Sequence, residues 1–154
     1  MTKILLSLHV LAAVLAVGPV SVAASMFPAA LRRTAGDREG TRTTLQTLHR
    51  ICRVYAGVGI AVPVFGFATA GSLGVLGDAW LITSIALTAA AAGVLILSVL
   101  PGQDRALTDM VTPADTPVPT ATAGRLAMTT GIFNLLWATV TVLMIIRPGS
   151  TTGA

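Results

Sequence analysis

The chain has 154 residues, of which 54% are hydrophobic and only 10% charged, with a formal net charge of +4 and a mean hydropathy of +0.83. Soluble domains carry about 25% charged residues, so a water-surrounded globule is excluded and a single domain with lipid as its main solvent is implied. Cys52 is the only cysteine, which excludes an internal disulfide, a CxxC redox pair, c-type haem attachment and a cysteine-rich zinc site.

Four stretches exceed the roughly 20 apolar residues that cross a bilayer as a helix. They predict an all-α, polytopic membrane protein, a four-transmembrane-helix antiparallel bundle with spans at about 4–28, 45–71, 79–100 and 126–146 and loops at 32–44 and 101–125. The first span, "KILLSLHVLAAVLAVGPVSVAASMFPAAL", carries His9, a small pair Ala12/Ala16, and Gly18-Pro19, where a kink is expected. "VAAS" at 22–25 resembles a signal-peptidase site. Cleavage there would leave six arginines on the outer face, so an uncleaved span is expected.

The second span begins as "TRTTLQTLHRICRVY". Leu45, Leu48, Cys52 and Tyr55 follow helical spacing and read as the inward stripe, Cys52 as a small apolar filler. Arg42, Gln46, His49 and Arg53 fall on a neighbouring stripe, with Arg50 beside it. Arg42, His49, Arg50 and Arg53 are the candidate contacts to anionic phospholipid headgroups or a partner, since arginine snorkels to phosphates. Further along lie Gly57/Ala61, Pro63, which should break the helix, and Gly66/Ala70. "GSLGVLGD" at 71–78 is a tight glycine turn.

Trp80 opens the third span at the interfacial belt, followed by the small pairs Ala86/Ala90 and Ala89/Gly93, which let helix backbones approach. A polar loop follows, and its "TPVPT" is expected to be extended. The fourth span is the most polar. Asn134 is its costly residue, since an unpaired amide in hydrocarbon is penalised by several kcal/mol. His9, Asn134 and Trp137 are therefore the candidate interhelical or partner contacts.

Eight of the ten basic residues lie in or beside loops one and three: Arg32, Arg33, Arg38, Arg42, Arg50, Arg53, Arg105 and Arg125. The other side has Lys3 and Arg147. This asymmetry predicts cytoplasmic loops one and three and both termini outside, in a bacterial plasma membrane.

Chemistry is sparse. All six acids lie in loops, which argues against ion-coupled transport through a membrane carboxylate. No phosphate loop, metalloprotease helix or nucleophile–base pair is present, so no catalytic, cofactor-binding or metal residue is assigned and a non-enzyme is expected. His9 and His49 should lie roughly 25 Å apart along the membrane normal, too far to share a haem. The basic residues hug a membrane edge without any recognition module, so nucleic acid is not expected as a partner.

"LLSLHVLAAVLAVGPV", then "FP" and an arginine-rich connection, then "GDAW", resemble the small, mostly uncharacterised four-helix integral membrane proteins of actinobacteria. Some of that type are accessory subunits of the cytochrome bcc–aa3 respiratory supercomplex. The resemblance implies a non-catalytic accessory or assembly subunit, packed against larger integral membrane subunits through helix and lipid contacts. The alternatives are a small homo-oligomeric transporter or channel, and a haem- or copper-handling membrane protein using His9.

Overall fold

The computed structural model describes residues 1–33, 37–111 and 120–149. The described residues are helical, without a strand: α1 (Thr2–Leu31), α2 (Arg38–Val58), α3 (Ala61–Leu73), α4 (Ala79–Val94), a π-helical turn (Leu95–Val99), α5 (Leu100–Asp109) and α6 (Thr120–Ile146). Four helices are long and apolar enough to cross a membrane: Thr2–Leu31, Arg38–Leu73, Ala79–Asp109 and Ala121–Ile146. The all-helical class and the four candidate spans are as expected.

The helices run further than the expected spans, and the reasons are local. Residues 38–44, expected as loop, are helical because Asp37 caps them: its carboxylate accepts the Gly40 N–H at 2.9 Å. Residues 100–109, also expected as loop, continue span three as α5. Pro101 sits in that helix's first turn, where its missing N–H is harmless. The last residues of the expected loop, 120–125, open α6. The "TPVPT" expectation falls mainly at 116–119, outside the described residues.

The prolines behave differently from one another. Pro63 separates α2 from α3, as expected: without a proline N–H the Gly59 carbonyl turns to the Val62 N–H at 3.1 Å, and Ile60 N–H bonds Gly57 at 3.2 Å. At the corresponding place in span one, α1 runs unbroken through both Pro19 and Pro28. The glycine turn is a Schellman end. Gly74 adopts φ 69°, its N–H bonds the Gly71 carbonyl at 3.3 Å, and the Val75 N–H bonds the Ala70 carbonyl at 3.2 Å. Only glycine takes that φ without strain.

Packing follows the apolar stripes. In α1, Ala16, Val20, Ala23, Phe27 and Leu31 are buried at spacings of three and four, one face of a helix. Val20, Ala23, Phe27 and Leu31 share a cluster with Leu45, Leu48 and Cys52 of α2, the inward stripe read from the sequence, and with Leu95, Val99, Ala106, Leu126 and Phe133. A smaller cluster of Ala70, Val75, Trp80 and Leu81 closes the opposite end, with Met144 against it. Elsewhere large apolar side chains point outward, among them Leu11, Leu97, Leu135 and Ile145, as lipid solvent would have it.

Most span hydroxyls need no partner on another helix. Thr83, Ser84, Thr88, Thr139 and Thr141 each donate to the carbonyl four residues earlier at 2.7–2.9 Å. That back-bonding hides the hydroxyl from an apolar surround.

Candidate functional site

At the arginine-rich end, the continuation of span three brings a fully buried glutamine against α2. Leu100, Gln103, Ala106, Leu107 and Met110 form the inward side of α5, and Gln103 lands between two residues of α2 one turn apart. His49 Nδ1 donates to Gln103 Oε1 at 3.1 Å, which places the imidazole proton on Nδ1. Gln103 Nε2 donates in turn to Cys52 Sγ at 3.6 Å. His49 Nε2 lies 4.0 Å from the exposed carboxylate of Asp104. A buried amide thus has both its ends occupied, as low-dielectric surroundings require.

This arrangement divides the residues singled out on α2. Arg42, Arg50 and Arg53 are exposed, so their guanidinium groups face the surroundings of the bundle. His49 is half-buried and turns inward to Gln103. Gln103 escaped the sequence reading, because a proline-glycine pair and a run of polar residues around it read as loop. The signal that would have found it is the i, i+3, i+6/7 spacing of Leu100, Gln103, Ala106 and Leu107.

His9 makes a second cross-helix contact. Its Nδ1 donates to the Val62 carbonyl at 2.9 Å, beside the α2–α3 break. The ring lies against Gly66: a Cβ at that position would stand 3.0 Å from His9 Cε1. Gly66 is therefore the notch that admits an imidazole between two spans. His49 lies on the same span as Val62, about 20 Å away at 1.5 Å rise per residue, so the two histidines are not brought together. Among the described residues, no group of three His, Cys, Asp or Glu side chains is placed to hold a metal ion.

Asn134 bridges to α1, its Nδ2 donating to Ser25 Oγ at 3.2 Å. The rest of its stripe is less satisfied. Asn134 Oδ1, Thr130 Oγ1 and Trp137 Nε1 are all buried without a hydrogen-bond partner among the described residues. They sit at i, i+4 and i+7, one face of α6. Trp137 is held by its ring instead, edge-on to Phe133 at 6.3 Å between centroids.

Trp80 shows what the remaining end is built for. Its Nε1 donates to Asp78 Oδ2 at 2.9 Å, and the Arg147 guanidinium lies 5.7 Å from the centre of its ring. Arg147 Nε also donates to the Met144 carbonyl at 3.3 Å. The small pairs are not all used inside the chain. Ala16 and Ala70 are buried, whereas Ala86, Ala89 and Ala90 of α4 are exposed together, as is Gly57.

Compared with protein-family models, curated proteins and solved structures, the chain matches none of them.

Proposed function

We propose that the chain is a non-catalytic accessory or assembly subunit of a larger membrane complex, embedded in a bacterial plasma membrane with both termini outside. The observation that carries this reading is the exposed small-residue face of α4. Ala86, Ala89 and Ala90 contribute little to their own bundle, yet small residues on a lipid-embedded helix are what allow another helix to approach closely. Lipid alone would be met equally well by large side chains such as Ile82, one turn before Ala86 on the same helix. The sequence resemblance suggests which complex: the respiratory cytochrome bcc–aa3 supercomplex, with the chain touching larger cofactor-bearing subunits and anionic phospholipid at Arg42, Arg50 and Arg53.

Extraction of native membranes in a mild detergent, followed by affinity capture of the full chain, tests the reading. Respiratory subunits should elute with it in fixed ratio, and Ala86→Leu/Ala90→Leu should release them while the chain stays folded. Capture of the chain alone, or only of further copies of itself, overturns the proposal.

A second reading has one observation in its favour. The α2–α3 break places a histidine beside loosened backbone carbonyls, an arrangement that transporters use at ion sites. Flux through the purified chain in liposomes, lost in His9→Ala, would favour it over the accessory role.

A further inference from the structure

The end of span three and the start of α6 lie side by side and enclose a groove of about 210 Å³. One wall is the stripe Ser98, Gly102, Arg105 and Asp109, spaced by three or four residues along the π-helical turn and α5. The other is Thr122, Arg125, Leu126 and Thr129 of α6. Arg105, Asp109, Thr122 and Arg125 lie toward the end where α5 stops and α6 starts, and Leu97 lies at the other end, 77% exposed.

The chemistry of that lining is unspent. The guanidinium groups of Arg105 and Arg125 have no ion pair or hydrogen bond among the described residues, and neither do the hydroxyls of Ser98 and Thr122. Thr129 alone is occupied, donating to the carbonyls of Arg125 and Leu126 at 3.1 and 3.2 Å. Two guanidinium groups against one carboxylate leave a net charge of +1. Arginine is also the side chain whose donor fork matches a phosphate. The contrast within the molecule is Arg147, whose guanidinium is already committed to Trp80 and the Met144 carbonyl.

Beyond the charges, the lining ends in Leu97, and Ile96 and Met128 are further exposed apolar side chains on the same two helical stretches. A ligand that fits must therefore carry an anionic phosphate at one end and a hydrocarbon tail at the other. The two helices are held at this separation by Gly102. A Cβ there would meet Leu126 Cδ2 at 2.8 Å, so the glycine sets how near α5 comes to α6 at the groove floor.

We propose that this groove binds one phospholipid with an anionic headgroup, its phosphodiester held by Arg105 and Arg125 and one acyl chain lying along Leu97. The inference requires only that the chain sits in a bilayer and is independent of any partner complex. It is also a different place from the exposed arginines of α2, none of which lines this groove.

Native mass spectrometry of the full chain, delipidated in mild detergent and titrated with phosphatidylglycerol or phosphatidylcholine, tests it. The wild type should take up one phosphatidylglycerol with roughly tenfold preference over phosphatidylcholine. Arg105→Gln/Arg125→Gln should abolish that preference, and Arg105→Lys/Arg125→Lys should restore part of it. Arg42→Gln/Arg50→Gln/Arg53→Gln should leave the tight site unchanged. If the double glutamine variant fails to fold, each single glutamine variant should still lose several-fold. Equal uptake of both lipids by the wild type overturns the proposal, as does an equal loss in the α2 triple variant. Displacement of the lipid by millimolar inorganic phosphate would make the groove a free-phosphate site and overturn it too. So would loss of a copurifying protein subunit in Arg105→Gln/Arg125→Gln with lipid uptake intact. Copurification can fail while the lipid preference persists, so the two proposals fall separately.

Discussion

The two ends of the bundle handle charge in opposite ways. Where α4 begins and α6 stops, Asp78, Trp80 and Arg147 are closed on one another and on the local backbone, and Val75 is tucked beneath a Schellman turn. Where α1 stops and α5 and α6 meet, the side chains bonded between helices are His49, Gln103 and Cys52, on the inside. The arginines around them extend outward. The first end is completed by its own chain. The second leaves Arg42, Arg50, Arg53, Arg105 and Arg125 exposed, as the proposed lipid and subunit contacts require.

Substitutions can sharpen that contrast, and the largest effect is expected inside the open end. Gln103→Ala removes a fully buried side chain and orphans His49 Nδ1, which together should cost about 3 kcal/mol in a reversible unfolding titration in mixed micelles. Gln103→Leu keeps the volume and should recover about half of that loss. If the leucine variant matches wild type, the buried polar chain contributes nothing and the contrast between the ends is one of packing only.

Next in size is the notch under His9. Gly66→Val forces a side chain into the imidazole, and a loss of about 2 kcal/mol is expected from overpacking. Combining it with His9→Ala should return part of that stability, whereas strictly additive losses in the cycle would show that the two residues do not couple. A smaller effect belongs to the closed end. Trp80→Phe keeps a ring under Arg147 but deletes the bond to Asp78, and about 1 kcal/mol should be lost by the same titration. The smallest effect is expected at the exposed arginines. Arg42→Gln/Arg50→Gln/Arg53→Gln should leave the unfolding midpoint in place while weakening retention on vesicles containing phosphatidylglycerol. A shifted midpoint would mean that these side chains brace the bundle after all.

What could be read without coordinates was whatever depends on composition and local period. The four apolar stretches, the inward stripe Leu45, Leu48 and Cys52, and the break before Pro63 each follow from the residues on the spot. The limits of the helices did not follow, because Asp37 and Pro101 act as helix starters only in a context that continues the apolar pattern beyond them. Contacts between distant residues were also hidden. Nothing near His9 in the chain announces Gly66 or the Val62 carbonyl, and Gln103 takes its meaning from two α2 residues more than fifty positions earlier. For Asn134 the need for a partner was legible from the cost of burying an amide. Its identity, Ser25, required the packing of α6 on α1.

The π-helical turn at Leu95–Val99, where the Leu100 N–H reaches back to the Leu95 carbonyl, acts as a phase adjuster between two halves of one span. Each residue advances a helix by about 100°, so the wider turn decides which compass direction everything after it faces. With it, Gln103 points to His49 and Arg105 to α6. Deleting one residue from that turn would leave the composition of the span almost untouched, yet would rotate α5 by more than a quarter of a circle. The amide would swing away from α2 while a neighbouring charged residue took its bearing. The wiring of the open end is thus stored in a count of residues, a property to which hydropathy is blind.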